Sequence, residues 1–194
     1  QFHSPAAEPE PYYQEVLRRD PGDARANTAM GILYYRRGRF PEAREKLEAA
    51  IARLARNYTR VRSGESHYYL GLVLRMQGSL IEAEDAFNRA AWDLAWRASS
   101  YYELAELAVI RGDLPAALEY ADQSLAHNSL NNQAHGLRAL ILRKLERWDE
   151  AHEATRQVLR SDPLDFRGRN ERCLQLAGDG REEELAREEQ ELLL

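Results

Sequence analysis

His152 and Glu153 open the run HEATR (152–156), which starts as a zinc-hydrolase helix does, with a metal ligand beside a general base. Arg156 stands where the second histidine is needed one turn on, so no i, i+4 ligand pair exists. GDGREEE (178–184) is acidic but lacks the alternating oxygen donors of a calcium loop. No glycine loop for phosphate is present, and the 32 acidic residues spread over the chain without singling out an acid and base pair. Cys173 is the single cysteine, so it forms no internal disulfide, and its place in a small-residue slot predicts an inert thiol. Asn57-Tyr58-Thr59 has the spacing of a glycosylation acceptor, a signal common by chance. These residues predict no catalysis, no metal and no cofactor.

The elements that carry them read as helices. Ala, Leu, Glu and Arg dominate the 194 residues, while proline numbers seven and glycine eleven, a composition that favours helix over sheet. Residues 14–62 hold twelve Lys and Arg against six Asp and Glu, whereas 179–191 hold seven acidic residues against two arginines. The arginines are scattered around helices without a groove-reading motif, which predicts a solvated surface and no nucleic-acid partner. No stretch has the apolar length to span a membrane, and with one cysteine the expected compartment is cytoplasmic, the chain starting at Gln1.

A repeat organises the helices. NTAMGILYYRRGRFPEA (27–43), HYYLGLVLRMQGSLIEA (67–83), YYELAELAVIRGDLPAA (101–117) and HGLRALILRKLERWDEA (135–151) align without gaps, their starts 40, 34 and 34 residues apart. Small residues recur where helices must approach: Gly31, Gly71, Ala105 and Ala139, then Ala43, Ala83, Ala117 and Ala151. Gly38, Gly78 and Gly112 fit the left-handed cap that ends a helix, and Glu146 replaces that glycine in the fourth unit. The pattern predicts helices over 9–19, 24–37, 41–56, 64–77, 80–97, 98–111, 114–128, 132–145, 148–160, 166–177 and 181–192, and no strands.

These units resemble the tetratricopeptide repeat, whose large residue, Leu-Gly pair, aromatics, alanines and closing proline recur at fixed offsets. The resemblance implies an all-α, right-handed superhelix of antiparallel helix pairs over 1–194. A partial leading repeat (9–23) precedes repeat 1 (24–63, with a six-residue insertion), repeats 2, 3 and 4 (64–97, 98–131, 132–165) and a degenerate terminal unit (166–194). Met30-Gly31 and Leu70-Gly71 meet the Leu-Gly pair, Leu104-Ala105 more loosely, and Arg138-Ala139 departs from it. His67 and His135 hold a position where the family has a bulky packing residue. More narrowly, ANTAMGILYYRRGRF, AAWDLAWRASSYYELAE and SDPLDFRGRNE look like the repeat region of large bacterial proteins with an upstream β-sandwich domain of carbohydrate-processing type.

In this family the first helix of each pair lines the concave side. Carried over by position, that places Arg25, Thr28, Ile32, Tyr35 and Arg36, then Glu65, Tyr68, Leu72, Arg75 and Met76, then Ser99, Tyr102, Glu106, Val109 and Ile110 in a partner-binding groove, with Gln133, Gly136, Leu140, Arg143 and Lys144 completing it. The implied ligand is a protein or peptide segment, aromatic rings supplying area and arginines pairing carboxylates. The equal alternative is that the tyrosines are core residues. The carboxylate clamp some members use for chaperone tails has no counterpart, since Thr28, Ile32, Tyr69, Ser99 and Glu103 occupy its positions.

Phe87, Ala90, Ala91, Leu94, Ala95 and Ala98 form one apolar series, as of a helix running past its expected end. Trp92 and Trp96 stand about 100° or more around from that stripe, on a common side. Either the 57–63 insertion or a bend near Arg97 tucks both rings away, or together they form a second interface. The function expected is a non-enzymatic docking or scaffold module for a protein, a peptide or another domain of the same parent chain. The alternatives are an accessory domain of a larger carbohydrate-active enzyme, or a self-association module joined through oppositely charged ends.

Overall fold

A computed structural model describes residues 9–56 and 63–192, and among these the chain is entirely helical. The eleven helices are α1 (Glu10–Arg19), α2 (Ala24–Arg36), α3 (Phe40–Ala55), α4 (Gly64–Met76), α5 (Leu80–Ala90), α6 (Leu94–Arg111), α7 (Leu114–His127), α8 (Asn132–Lys144), α9 (Trp148–Ser161), α10 (Phe166–Gly178) and α11 (Glu182–Leu192). They pair in antiparallel fashion, as the repeat predicts, and the chain divides into two units, Gln1–Ser100 and Tyr101–Leu194. Most of the predicted insertion, 57–62, lies outside the described residues.

Turn chemistry repeats with the sequence. Asp23, Asp113, Asn131 and Asp165 each accept a backbone N–H from the first turn of the helix that follows, which satisfies one of its orphan donors. At the tight turns inside the pairs, Gly38, Gly78, Gly112 and Gly180 take positive φ of 71°, 79°, 79° and 70°. The next residue's N–H then reaches back to a carbonyl five residues earlier, as from Arg39 to Tyr34 O at 2.9 Å. Glu146 takes the same place with φ 59° and keeps the same closure, Arg147 N to Leu142 O at 2.9 Å.

Small residues set how closely helices approach. In the first unit a Cβ on Gly71 would lie 2.5 Å from Phe87 Cε1, so α4 packs directly on the fully buried Phe87. Around Met30, Ala43, Leu47 and Val73, the partly buried rings of Tyr13, Tyr35, Phe40 and Tyr69 close that core. In the second unit the core is alanine-rich, with Ala105, Ala117, Ala121, Ala134, Ala139 and Ala151 buried among Leu118, Ile141 and Leu142. Every alanine that the alignment marked as a packing position is buried.

The one element drawn differently by the sequence is the junction of α5 and α6. Instead of running to residue 97, α5 stops at Ala90, and α6 starts four residues before the repeat phase, at Leu94. Asp93 makes this break: Oδ1 accepts the N–H of Ala95 at 3.1 Å, and Oδ2 accepts the N–H of Gly64, the first residue of α4, at 2.9 Å. Arg97 Nε donates to Ala91 O at 2.8 Å, satisfying a carbonyl at the end of α5. The apolar series therefore spans two helices, and Leu94 and Ala95 are exposed.

Among the described residues no helix is long and apolar enough to cross a membrane.

Candidate functional site

The inward positions of α2 divide into two kinds. Thr28 is buried; its hydroxyl lies 2.8 Å from Ala24 O and 2.8 Å from the buried Ser66 hydroxyl on α4, so its hydrogen-bonding capacity ties two helices together. Arg25 and Arg36 are exposed, and Ile32 and Tyr35 are half-buried. On α4, Leu72 is buried in the core and Arg75 is half-buried.

The aromatic positions form a packed run. Tyr35 meets Tyr69 edge-on at 5.9 Å, Tyr69 meets Tyr68 at 5.6 Å, and Tyr68 lies 4.9 Å from Trp96 and 5.8 Å from Phe87. Such pairs add about 0.5–1.5 kcal/mol each beyond the area they bury. Trp96 is thereby half-buried on the tyrosines of α4, whereas Trp92 is 72% exposed. The two indoles are thus neither both tucked away nor both exposed, and the single helix assumed to carry them is broken, since α5 ends before Trp92 and the next helix carries Trp96.

In the same unit a hollow of about 670 Å³ opens between α1, α2 and α4, with Tyr12, Val16 and Ile32 as apolar wall and Arg25 and Glu65 among its polar lining. The inward-position rule supplied Arg25, Thr28, Ile32 and Glu65. It missed Tyr12, Tyr13 and Val16, which belong to the partial leading repeat and reach the wall only because α1 packs on α2.

In the second unit Tyr102 is buried and its hydroxyl donates to Glu106 Oε1 at 2.7 Å, while Arg167 Nη1 approaches it at 3.3 Å. Burial, and then the Glu106 carboxylate, push the phenol up to about 12, so it stays a neutral donor. A hollow of about 320 Å³ lies beside it, walled by Val109 and Ile110 of α6, Gly136 and Leu140 of α8, and Phe166 and Arg167 of α10. Arg167 holds the first inward position of the terminal unit, as Arg25 does in repeat 1; repeat phase alone points to it once that unit is treated as a full repeat.

The side chains set aside as chemistry stay apart. His152 Nε2 lies 3.2 Å from Asp179 Oδ2, and among the described residues no three His, Cys, Asp or Glu side chains gather as metal ligands. Burial, then the carboxylates of Glu188 and Glu189, raise the Cys173 thiol above its ordinary value, the reverse of an activated nucleophile.

Comparison with known proteins places this geometry. Residues 22–91 and 102–166 match two family models, each described as tetratricopeptide repeat. Among solved structures the chain is similar to pilF of Pseudomonas aeruginosa, with TM-score 0.81, 18% identity, and 93% of this chain and 79% of that one covered. It is similar to MamA at TM-score 0.70 and 23% identity, covering 79% and 86%. YrrB, described as a TPR protein with an unusual peptide-binding site, matches at TM-score 0.70 and 17% identity, covering 91% and 88%. With family models on both halves, the small-residue packing positions filled as the repeat demands and the paired helices in register, the chain belongs to the tetratricopeptide repeat family.

Proposed function

We propose that this chain is a non-catalytic docking module that takes a peptide segment of a protein partner on the inward faces of the first helix in each pair. The observation that carries this reading is the 670 Å³ hollow of the first unit, whose apolar wall of Tyr12, Val16 and Ile32 stands beside the exposed Arg25. A concave apolar surface with a few convergent polar groups suits an extended chain better than a small polar substrate. That YrrB is described as peptide-binding on the same fold is in keeping with it.

The test is selection of a displayed dodecamer library on the full chain, then titration of the recovered peptides against Tyr12→Ala and Arg25→Glu. Both residues are exposed, so folding is preserved, and an affinity loss of about tenfold, or about 1.4 kcal/mol, is expected for at least one variant. Peptides that bind both variants as they bind the parent remove this hollow as the seat.

The second reading, an accessory domain of a larger carbohydrate-active protein, rests on the likeness of AAWDLAWRASSYYELAE and its companion stretches to such repeat regions. A parent reading frame with a β-sandwich domain upstream supports it, and a stand-alone repeat protein removes it.

A further inference from the structure

Gly31, Gly71, Gly136 and Gly168 lie in the interiors of α2, α4, α8 and α10, and three of them are explained by packing. A Cβ on Gly31 would lie 2.5 Å from Leu47 Cγ, on Gly71 2.5 Å from Phe87 Cε1, and on Gly168 2.6 Å from Val158 Cγ1. Gly136 is also buried, yet a Cβ there meets nothing within 4 Å, and its φ is not positive. Neither packing nor backbone conformation calls for glycine at 136, although in a helix interior it costs about 1 kcal/mol relative to alanine.

What glycine preserves at 136 is space, in the hollow of about 320 Å³ of the second unit. Above it the surface is apolar and wet: Ile110 is 59% and Phe166 71% exposed, with Val109 and Leu140 beside them. The charges around it are matched. Arg143 grips Glu171 through two bonds of 2.7 and 3.1 Å, and Arg167 Nη1 lies 3.9 Å from Glu106 Oε1. Two cations facing two anions leave no net charge to attract a carboxylate or an ammonium, so complementarity selects an uncharged anchor. The volume is at the small end of ligand pockets, about 300–1,000 Å³, enough for one large side chain and its flanking main chain. Asn170, exposed at the rim, offers both a donor and an acceptor to such a main chain.

We propose that the Gly136 hollow is a side-chain notch that seats one bulky apolar residue, of the leucine or phenylalanine kind, from an extended peptide of a protein partner. The notch rests on the reading of the chain as a peptide-docking module and adds a second seat, in the other unit, with its own side-chain preference.

The test uses the full chain and peptides recovered from the dodecamer library. Gly136→Ala and Gly136→Leu are compared with the parent by thermal melting and by titration. Gly136→Ala is expected to melt above the parent and to bind about threefold more weakly, since alanine favours helix and narrows the notch. Gly136→Leu, which fills the notch, is expected to weaken binding at least tenfold. Changing the peptide's apolar anchor to alanine or to aspartate should cost the same factor on the parent and little more on Gly136→Leu; this arm holds the protein fold constant. Peptides that respond to Tyr12→Ala or Arg25→Glu but bind Gly136→Leu and the parent alike overturn the notch and leave the docking reading standing. Peptides indifferent to both sets of variants, or no peptide recovered above background, count against both.

Discussion

Glu146 ends α8 in the left-handed region at φ 59°, where the other four turns place glycine. A side chain there crowds its own backbone, and the turn persists because Arg147 N still reaches Leu142 O at 2.9 Å and Leu142 is wholly buried. The fold, not the local residue, imposes that geometry. Glu146→Gly should therefore raise stability by about 0.5–1 kcal/mol, read as a higher urea midpoint, in contrast to the usual cost of introducing glycine. An unchanged or lower midpoint would show that the turn carries no strain. The alignment already marked position 146 as the exception; that the backbone keeps the same shape without glycine is a property of the packed pair.

The α5–α6 junction shows where periodicity misleads. Phe87, Ala90, Leu94 and Ala98 keep helical spacing across residues 91–93, so hydrophobic pattern alone draws one helix through the break. The stop comes from Asp93, whose carboxylate serves the N–H groups of Ala95 and Gly64 at once, and the second partner lies 29 residues earlier. The two tryptophans, alike in sequence, then take different roles. Trp96→Ala, removing a ring packed on Tyr68 and Tyr69, should cost about 2–3 kcal/mol, below the range for fully buried rings because Trp96 is half-buried. Asp93→Ala should cost about 1–2 kcal/mol. Trp92→Ala should stay within about 0.5 kcal/mol, as for other exposed sites. Urea denaturation of the three variants checks that order, and a Trp92 effect equal to that of Trp96 would contradict it.

For the molecule as a whole, the response to acid follows from His67. Burial, then the Arg89 guanidinium, push its imidazole down to about 4, with Asp85 opposing. An unfolded histidine titrates near about 6.5, so between that value and about 4 the unfolded chain binds the extra proton and stability falls as pH falls. Glu10, Glu15 and Glu150 are held below the ordinary carboxylate value, chiefly by hydrogen bonds from Arg37, Arg18 and Arg147. Their contribution has the same direction and begins lower, being lost as pH drops through the carboxylate range. These pairs are at least partly open to solvent and titrate lower, so His67 should dominate the upper window. Urea midpoints of the parent should drop between about pH 7 and about pH 5, and His67→Leu should flatten that drop; an equally steep loss in the variant would place its origin elsewhere.

The sequence by itself determined the helical class, the repeat length, the antiparallel pairing, the turn caps and the identity of the close-packing alanines. All of these are local or periodic, and a 34-residue period repeats each signal several times over. Only the tertiary structure decided which inward positions remain in water. Thr28, a lining position like the exposed Arg25, is buried against Ser66 of α4, and Leu72 is buried where Glu106, at the same repeat position, is half-buried. Gly136 differs from Gly71 by what stands opposite it: Phe87 against one and empty space against the other. A repeat pattern records the type of residue at each position; whether that position is filled or open depends on side chains brought from other helices, and only packing supplies them.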